Sequence, residues 1–193
     1  MQNVVIRAIE RLDFRTKEAY KTLRTNLSFA GKNVKVISLT SCTPNEGKTS
    51  VSFQLCLSLA ESGKQTILVD ADLRKSVLRG RYKANREKYG LSHYLSGQVE
   101  LDDACCRTNV NNFDIIFAGP VPPNPSELLG GDAFRNMLEV LRMKYDYVIV
   151  DTPPLGSVID AAIVGAICDG TVIVVESGAI SYKFVQNVKE QRN

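Results

Sequence analysis

What the chain lacks narrows the field first. Its only histidine is His93, so neither a histidine-based catalytic triad nor a di-histidine metal site can be assembled. The five cysteines, Cys42, Cys56, Cys105, Cys106 and Cys168, contain no C-x-x-C pair and, with one histidine, make no zinc spacing. An odd number of thiols without a framework predicts a reducing compartment. No apolar run approaches the length of a membrane span and the start is not signal-like, which predicts a soluble, cytoplasmic chain whose membrane role needs a partner. A formal charge of +3 gives no reason to expect nucleic acid. There are no internal repeats and no low-complexity segment.

What remains is the material of one folded unit. At 193 residues with 44% apolar content the chain can build one α/β core but not two, so residues 1–193 read as a single domain, with 1–15 as an N-terminal arm or edge element. The segment 34–39, Val-Lys-Val-Ile-Ser-Leu, reads as a buried strand, and 51–61 carries apolar residues at helical spacing up to a stop near Gly63. Between them lies Thr43-Pro44-Asn45-Glu46-Gly47-Lys48-Thr49-Ser50, and a Gly-Lys-Thr in a strand-to-helix turn is the setting of a phosphate-binding loop. Backbone amides of such a turn, with the free N–H groups of the new helix, favour an anion. Cys42 stands where the first glycine of the common pattern is expected, and Asn45 is the residue suited to a positive φ. Beside that positive potential Cys42 invites a reading as a redox-sensitive thiol, against the plainer one of a small residue in a turn.

Two more apolar strands end in acids. Segment 66–69 runs into Asp70-Ala71-Asp72-Leu73-Arg74, and 147–150 runs into Asp151-Thr152-Pro153-Pro154. Ligands of an open parallel sheet gather outside the carboxyl ends of its strands, and acids beside a triphosphate require a divalent cation to offset repulsion. Elsewhere, 16–30 reads as a helix with Ala19, Leu23, Leu27 and Ala30 inward, and with Glu18, Lys21 and Arg24 together on the other side. A basic run from Arg74 to Lys88 suggests a phosphate or membrane-surface patch, a subunit contact or a solvated loop. Then come a short helix at 90–97, a strand at 112–119, a proline-rich loop, and a short helix capped by Ser126 or Glu127. A helix at 132–144, one from Asp160 to Cys168, a buried strand at 171–176 and a terminal helix from Ser181 complete the chain. This alternation predicts a doubly wound, mostly parallel sheet with helices on both faces. Together with the phosphate loop it resembles a P-loop NTPase of the MinD/ParA kind.

With these motifs in order, the chain resembles the bacterial tyrosine kinases (BY-kinases), specifically the cytoplasmic kinases of capsular or exopolysaccharide assembly. Thr43–Ser50 resembles their phosphate loop, 67–74 their D-x-D-x-R motif, 147–154 their D-[TS]-P-P motif, and the Gly119-Pro120 to Leu129 stretch is also similar. The resemblance implies ATP and Mg²⁺ as cofactors, with residues 43–50 around the nucleotide and Lys48 on the phosphates. It implies that Thr49, Asp72 and Asp151 serve the metal directly or through water, and that Asp70 accepts the proton of a substrate tyrosine. It makes Glu18, Lys21 and Arg24 an oligomer contact, with Lys21 replacing an arginine. It also implies activation by the cytoplasmic tail of a membrane polysaccharide co-polymerase, which would hold the kinase at the inner face of the membrane. Family members end in a tyrosine-rich tail and a last strand. Here no tyrosine follows Tyr182, which predicts a truncated piece or an acceptor on another protein. Two rivals share the fold. A MinD/ParA-type ATPase carries a lysine where Thr43 stands, and Arg74 leans toward the kinase; a nucleotide-responsive scaffold would bind without turnover.

Overall fold

A computed structural model describes residues 1–85 and 87–179; the terminal helix expected from Ser181 lies outside them. In chain order the elements are β1 (Gln2–Val4), α1 (Phe14–Phe29), β2 (Val36–Ser41), α2 (Lys48–Glu61), β3 (Thr66–Asp70), α3 (Leu78–Arg81), α4 (Leu91–Leu95) and α5 (Leu101–Ala104). They continue with β4 (Cys106–Thr108), β5 (Phe113–Ile116), α6 (Pro125–Gly130), α7 (Asp132–Lys144), β6 (Tyr147–Asp151), α8 (Asp160–Ile167) and β7 (Gly170–Val174).

The strands form one sheet in the order β1-β4-β5-β3-β6-β2-β7, and every pairing is parallel except β4 with β5. Successive strand residues point to opposite faces, so each strand feeds two cores. Ile67, Val69, Val148 and Val150 pack with Phe134, Met137 and Leu141 of α7 on one face. Leu68, Ile149, Ile37 and Leu39 pack with Phe53, Leu55 and Leu59 of α2 on the other. Both faces of the central strands are thus covered, as the uninterrupted apolar runs of β3 and β6 require.

Local chemistry sets the boundaries. Asp13 starts α1 by accepting from the Thr16 amide at 2.8 Å. Gly47, at φ 85°, turns β2 directly into α2, three residues before the apolar pattern begins. Pro125 opens α6 at its first turn behind Asn124, correcting the expectation that Ser126 or Glu127 caps it; proline suits a position whose N–H has no helical partner. The inward side of α1 is Tyr20, Leu23 and Leu27, whereas Ala19 and Ala30 are exposed. Burying a tyrosine ring gains more than burying two methyls, and the helix is rotated accordingly. β7 is half-buried rather than buried because it stands at the outer end of the described sheet. The N-terminal arm supplies the opposite edge strand, β1, with Gln2 paired to Cys106.

Candidate active site

β3 and β6 are neighbours, and their register places Asp70 opposite Asp151 at the carboxyl edge of the sheet. β2 lies on the far side of β6 and leads into the phosphate loop at the same edge. The three motifs therefore converge through strand order alone. In the loop, Asn45 has φ 68° and Gly47 φ 85°, so the asparagine does supply the left-handed residue. Lys48 Nζ lies 3.3 Å from Thr49 Oγ1 and 3.8 Å from Asp72 Oδ2. Ser52, one turn along α2 from Lys48, donates to Asp151 Oδ1 at 3.0 Å.

A cavity of about 280 Å³ opens here, lined by Pro44, Asn45, Gly47, Lys48, Thr49, Asp72, Arg74, Lys75 and Arg81, with Pro153 and Pro154 opposite. The other expected residues sit behind or beside it. Asp70 and Asp151 are each 1% exposed and are not among the residues that line it. Glu46 turns its carboxylate inward, accepting from the Thr43 amide at 2.6 Å and the Glu176 amide at 3.4 Å, so it braces the loop. The Ser50 hydroxyl accepts from the Arg81 guanidinium.

Burial, and then the charge of Asp151, push the Asp70 carboxyl up to about 8, while the Ser76 hydroxyl that it accepts from works the other way. Burial raises Asp151 as well, against Lys48, Thr49 and Ser52. Two buried acids held this way favour a cation beside them. The available donors, carboxylates and the Thr49 hydroxyl, are the hard oxygens that a magnesium ion takes. Among the described residues no cluster of three or more His, Cys, Asp or Glu is placed to hold a metal unaided. Phosphate oxygens and water would complete the shell, and the residues present fit that role. Cys42 is 1% exposed, and burial followed by Glu46 raises its thiol, which removes the redox reading and leaves the plain one.

The sequence singles out Arg74 but not its partners, Asp160 and Ser126. Arg74 grips the fully buried Asp160, Nε to Oδ2 at 2.7 Å and Nη2 to Oδ1 at 3.1 Å. Ser126 closes the triangle, donating to Asp160 Oδ1 at 2.6 Å and accepting from Arg74 Nη2 at 2.9 Å. The isolated acid opening an otherwise apolar α8 was the available signal. Of the three α1 residues, Lys21 pairs with Glu18 at 2.7 Å on the surface, while Arg24 turns in to the Ser58 carbonyl at 2.6 Å.

A glycine-bearing strand-to-helix loop, its lysine, and acids at the ends of the adjacent strands define a P-loop nucleotide-binding protein. The AAA domain family matches residues 34–191. The tyrosine-protein kinase CpsD of Streptococcus agalactiae is 45% identical over 177 residues, covering 92% of this chain and 77% of its own. The tyrosine-protein kinase etk of Escherichia coli is 38% identical over 95% of this chain but only 26% of its own. The solved kinase domain of that E. coli tyrosine kinase superposes with TM-score 0.88 and 33% identity, covering all of this chain and 84% of the domain. The cell division ATPase MinD of Pyrococcus furiosus superposes with TM-score 0.61 and 25% identity over 73% of this chain and 59% of its own. The chain belongs to the bacterial tyrosine-protein kinase (BY-kinase) family.

Proposed function

We propose that this edge of the sheet transfers the γ-phosphoryl group of ATP to the hydroxyl of a protein tyrosine, in the regulation of capsular or exopolysaccharide assembly. The observation that carries the reading is the Asp70–Asp151 pairing beside Lys48 and Asp72. Loop amides and Lys48 hold the phosphates, and the Glu46 brace keeps the loop in the shape that does so. Bound magnesium, held by Thr49, Asp72 and Asp151 directly or through water, would offset the phosphate charge and favour the ionised form of the buried acids. Asp70 takes the tyrosine proton as the phenolic oxygen bonds to the γ-phosphorus and the bond to the ADP oxygen breaks. With the cation beside it Asp70 would stand ionised, able to take the proton of a phenol that titrates near 10 late in the transfer.

The same reading gives the chain a membrane partner, the cytoplasmic tail of a polysaccharide co-polymerase, that activates it and holds it at the inner face. Among the described residues no helix is long and apolar enough to cross a membrane, and the match covers 26% of the E. coli relative. In an oligomer, Glu18 and Lys21 are exposed for contact, and Arg24 joins them by releasing Ser58. Anti-phosphotyrosine blotting after mixing the chain with ATP, Mg²⁺, the activator tail and a candidate acceptor tests the proposal. Phosphotyrosine is expected. ATP hydrolysis without it selects the MinD/ParA-type switch, and tight binding without turnover selects the scaffold.

A further inference from the structure

A groove of about 830 Å³, larger than the phosphate cavity, runs alongside it. One wall is Ser76, Val77 and α3; the other is the start of α4 with the turn that follows β5. Val77 and Arg81 line both spaces, so groove and phosphate cavity adjoin. Ser76, an exposed lining residue, donates to the buried Asp70, which links the groove to the carboxylate assigned the acceptor's proton.

The outer wall is built in advance. Gly90 packs backbone against backbone: a Cβ there would lie 2.6 Å from both Gly119 N and Phe117 O. The Leu91 amide donates to Phe117 O at 2.7 Å and the Ser92 amide to Ala118 O at 2.9 Å. Tyr89 and His93, rings edge to face at 5.5 Å, stand on this wall and offer a phenol an aromatic neighbour. Arg79, Arg81 and Lys88 face a single acid, Glu87, which is already shared with Arg79 at 3.7 Å.

We propose that this groove seats the acceptor segment, and that the segment is a tyrosine flanked by acidic residues on another protein. The inference rests on the kinase reading above and adds the substrate class. The phenol enters past Tyr89 and His93 toward Asp70 while the flanking carboxylates meet Arg79 and Lys88, cations that favour one sign of partner over the other.

Two readouts test it. Binding of a fluorescein-labelled peptide with a glutamate-flanked tyrosine is followed by anisotropy, against its lysine-flanked counterpart. Phosphorylation of both is followed with Mg·ATP and the activator tail. The glutamate peptide is expected to bind and react preferentially, and Arg79→Glu with Lys88→Glu should weaken its binding by at least about tenfold while ATP affinity stays unchanged. Arg79→Gln with Lys88→Gln, a milder pair, should move the same way and covers a folding defect in the reversal. Lys48→Met should leave peptide binding intact. Equal binding of both peptides, a preference for the lysine peptide, or no effect of either double variant overturns the groove assignment. Peptide binding with these charge effects but no phosphotyrosine on any acceptor overturns the kinase reading alone.

Discussion

Arg74 and Asp160 form a bidentate ion pair, at 2.7 and 3.1 Å, that ties the loop after β3 to the first turn of α8. Asp160 is wholly buried while the Arg74 side chain is 40% exposed, so water screens one partner only. Burial pushes the Asp160 carboxyl up, but hydrogen bonds from Arg74 and Ser126 outweigh it and hold the group below the usual carboxylate range.

Asp160→Ala leaves a guanidinium and the Ser126 hydroxyl without their acceptor and should cost about 1–3 kcal/mol, toward the lower end because Arg74 is partly solvated. Urea midpoints measure it. A carboxyl with a lowered folded pKa stabilises above its unfolded value and loses that contribution as pH falls through the folded one. The gap between wild type and Asp160→Asn should therefore be full above about pH 5 and shrink below about pH 4. A gap that stays constant across that range contradicts the assignment.

Ser76→Ala removes the hydroxyl that Asp70 accepts from, leaving a 1% exposed carboxylate with one fewer donor. Turnover should fall about tenfold with ATP affinity unchanged, since the contact is to the carboxylate proposed as base rather than to the phosphate loop. Ser76→Thr keeps the hydroxyl and should restore most of the rate. Steady-state kcat and ATP KM separate the two effects.

Glu46→Ala removes the acceptor for the Thr43 and Glu176 amides. The loop then holds its shape less tightly, and ATP affinity should drop about tenfold by calorimetric titration. An unchanged affinity would show that the loop's form does not depend on this brace.

Asn45 sits at φ 68°, where a β-branched side chain is strained by about 1–2 kcal/mol. Asn45→Gly should bind ATP at least as well as wild type, and Asn45→Val should bind it more weakly. Thermal melts run beside the titrations separate loss of the site from loss of the fold.

The architecture was readable because the signals were local. A Gly-Lys-Thr after an apolar run marks its own turn, and apolar segments ending in Asp70 and Asp151 mark strand ends. That the two acids are register partners follows from strand order, which the doubly wound layout supplies. What escaped depends on distant partners. Ser76, Glu46 and Asp160 act through residues on other elements or through folded-back side chains, and nothing in their neighbours' sequence announces it. β4 is too short, at three residues, to show a period. Helical spacing fixes a stripe only to within a side chain's width, so Tyr20 rather than Ala19 faces inward on α1.

Asp70 is the carboxylate proposed to accept the tyrosine proton beside nucleotide held by Lys48. The most direct test of that role is the phosphotyrosine formation rate of Asp70→Asn with saturating Mg·ATP, activator tail and acceptor, alongside the measured ATP affinity of the same variant. ATP binding should be retained and phosphotyrosine formation abolished. Wild-type rates in Asp70→Asn would contradict that role.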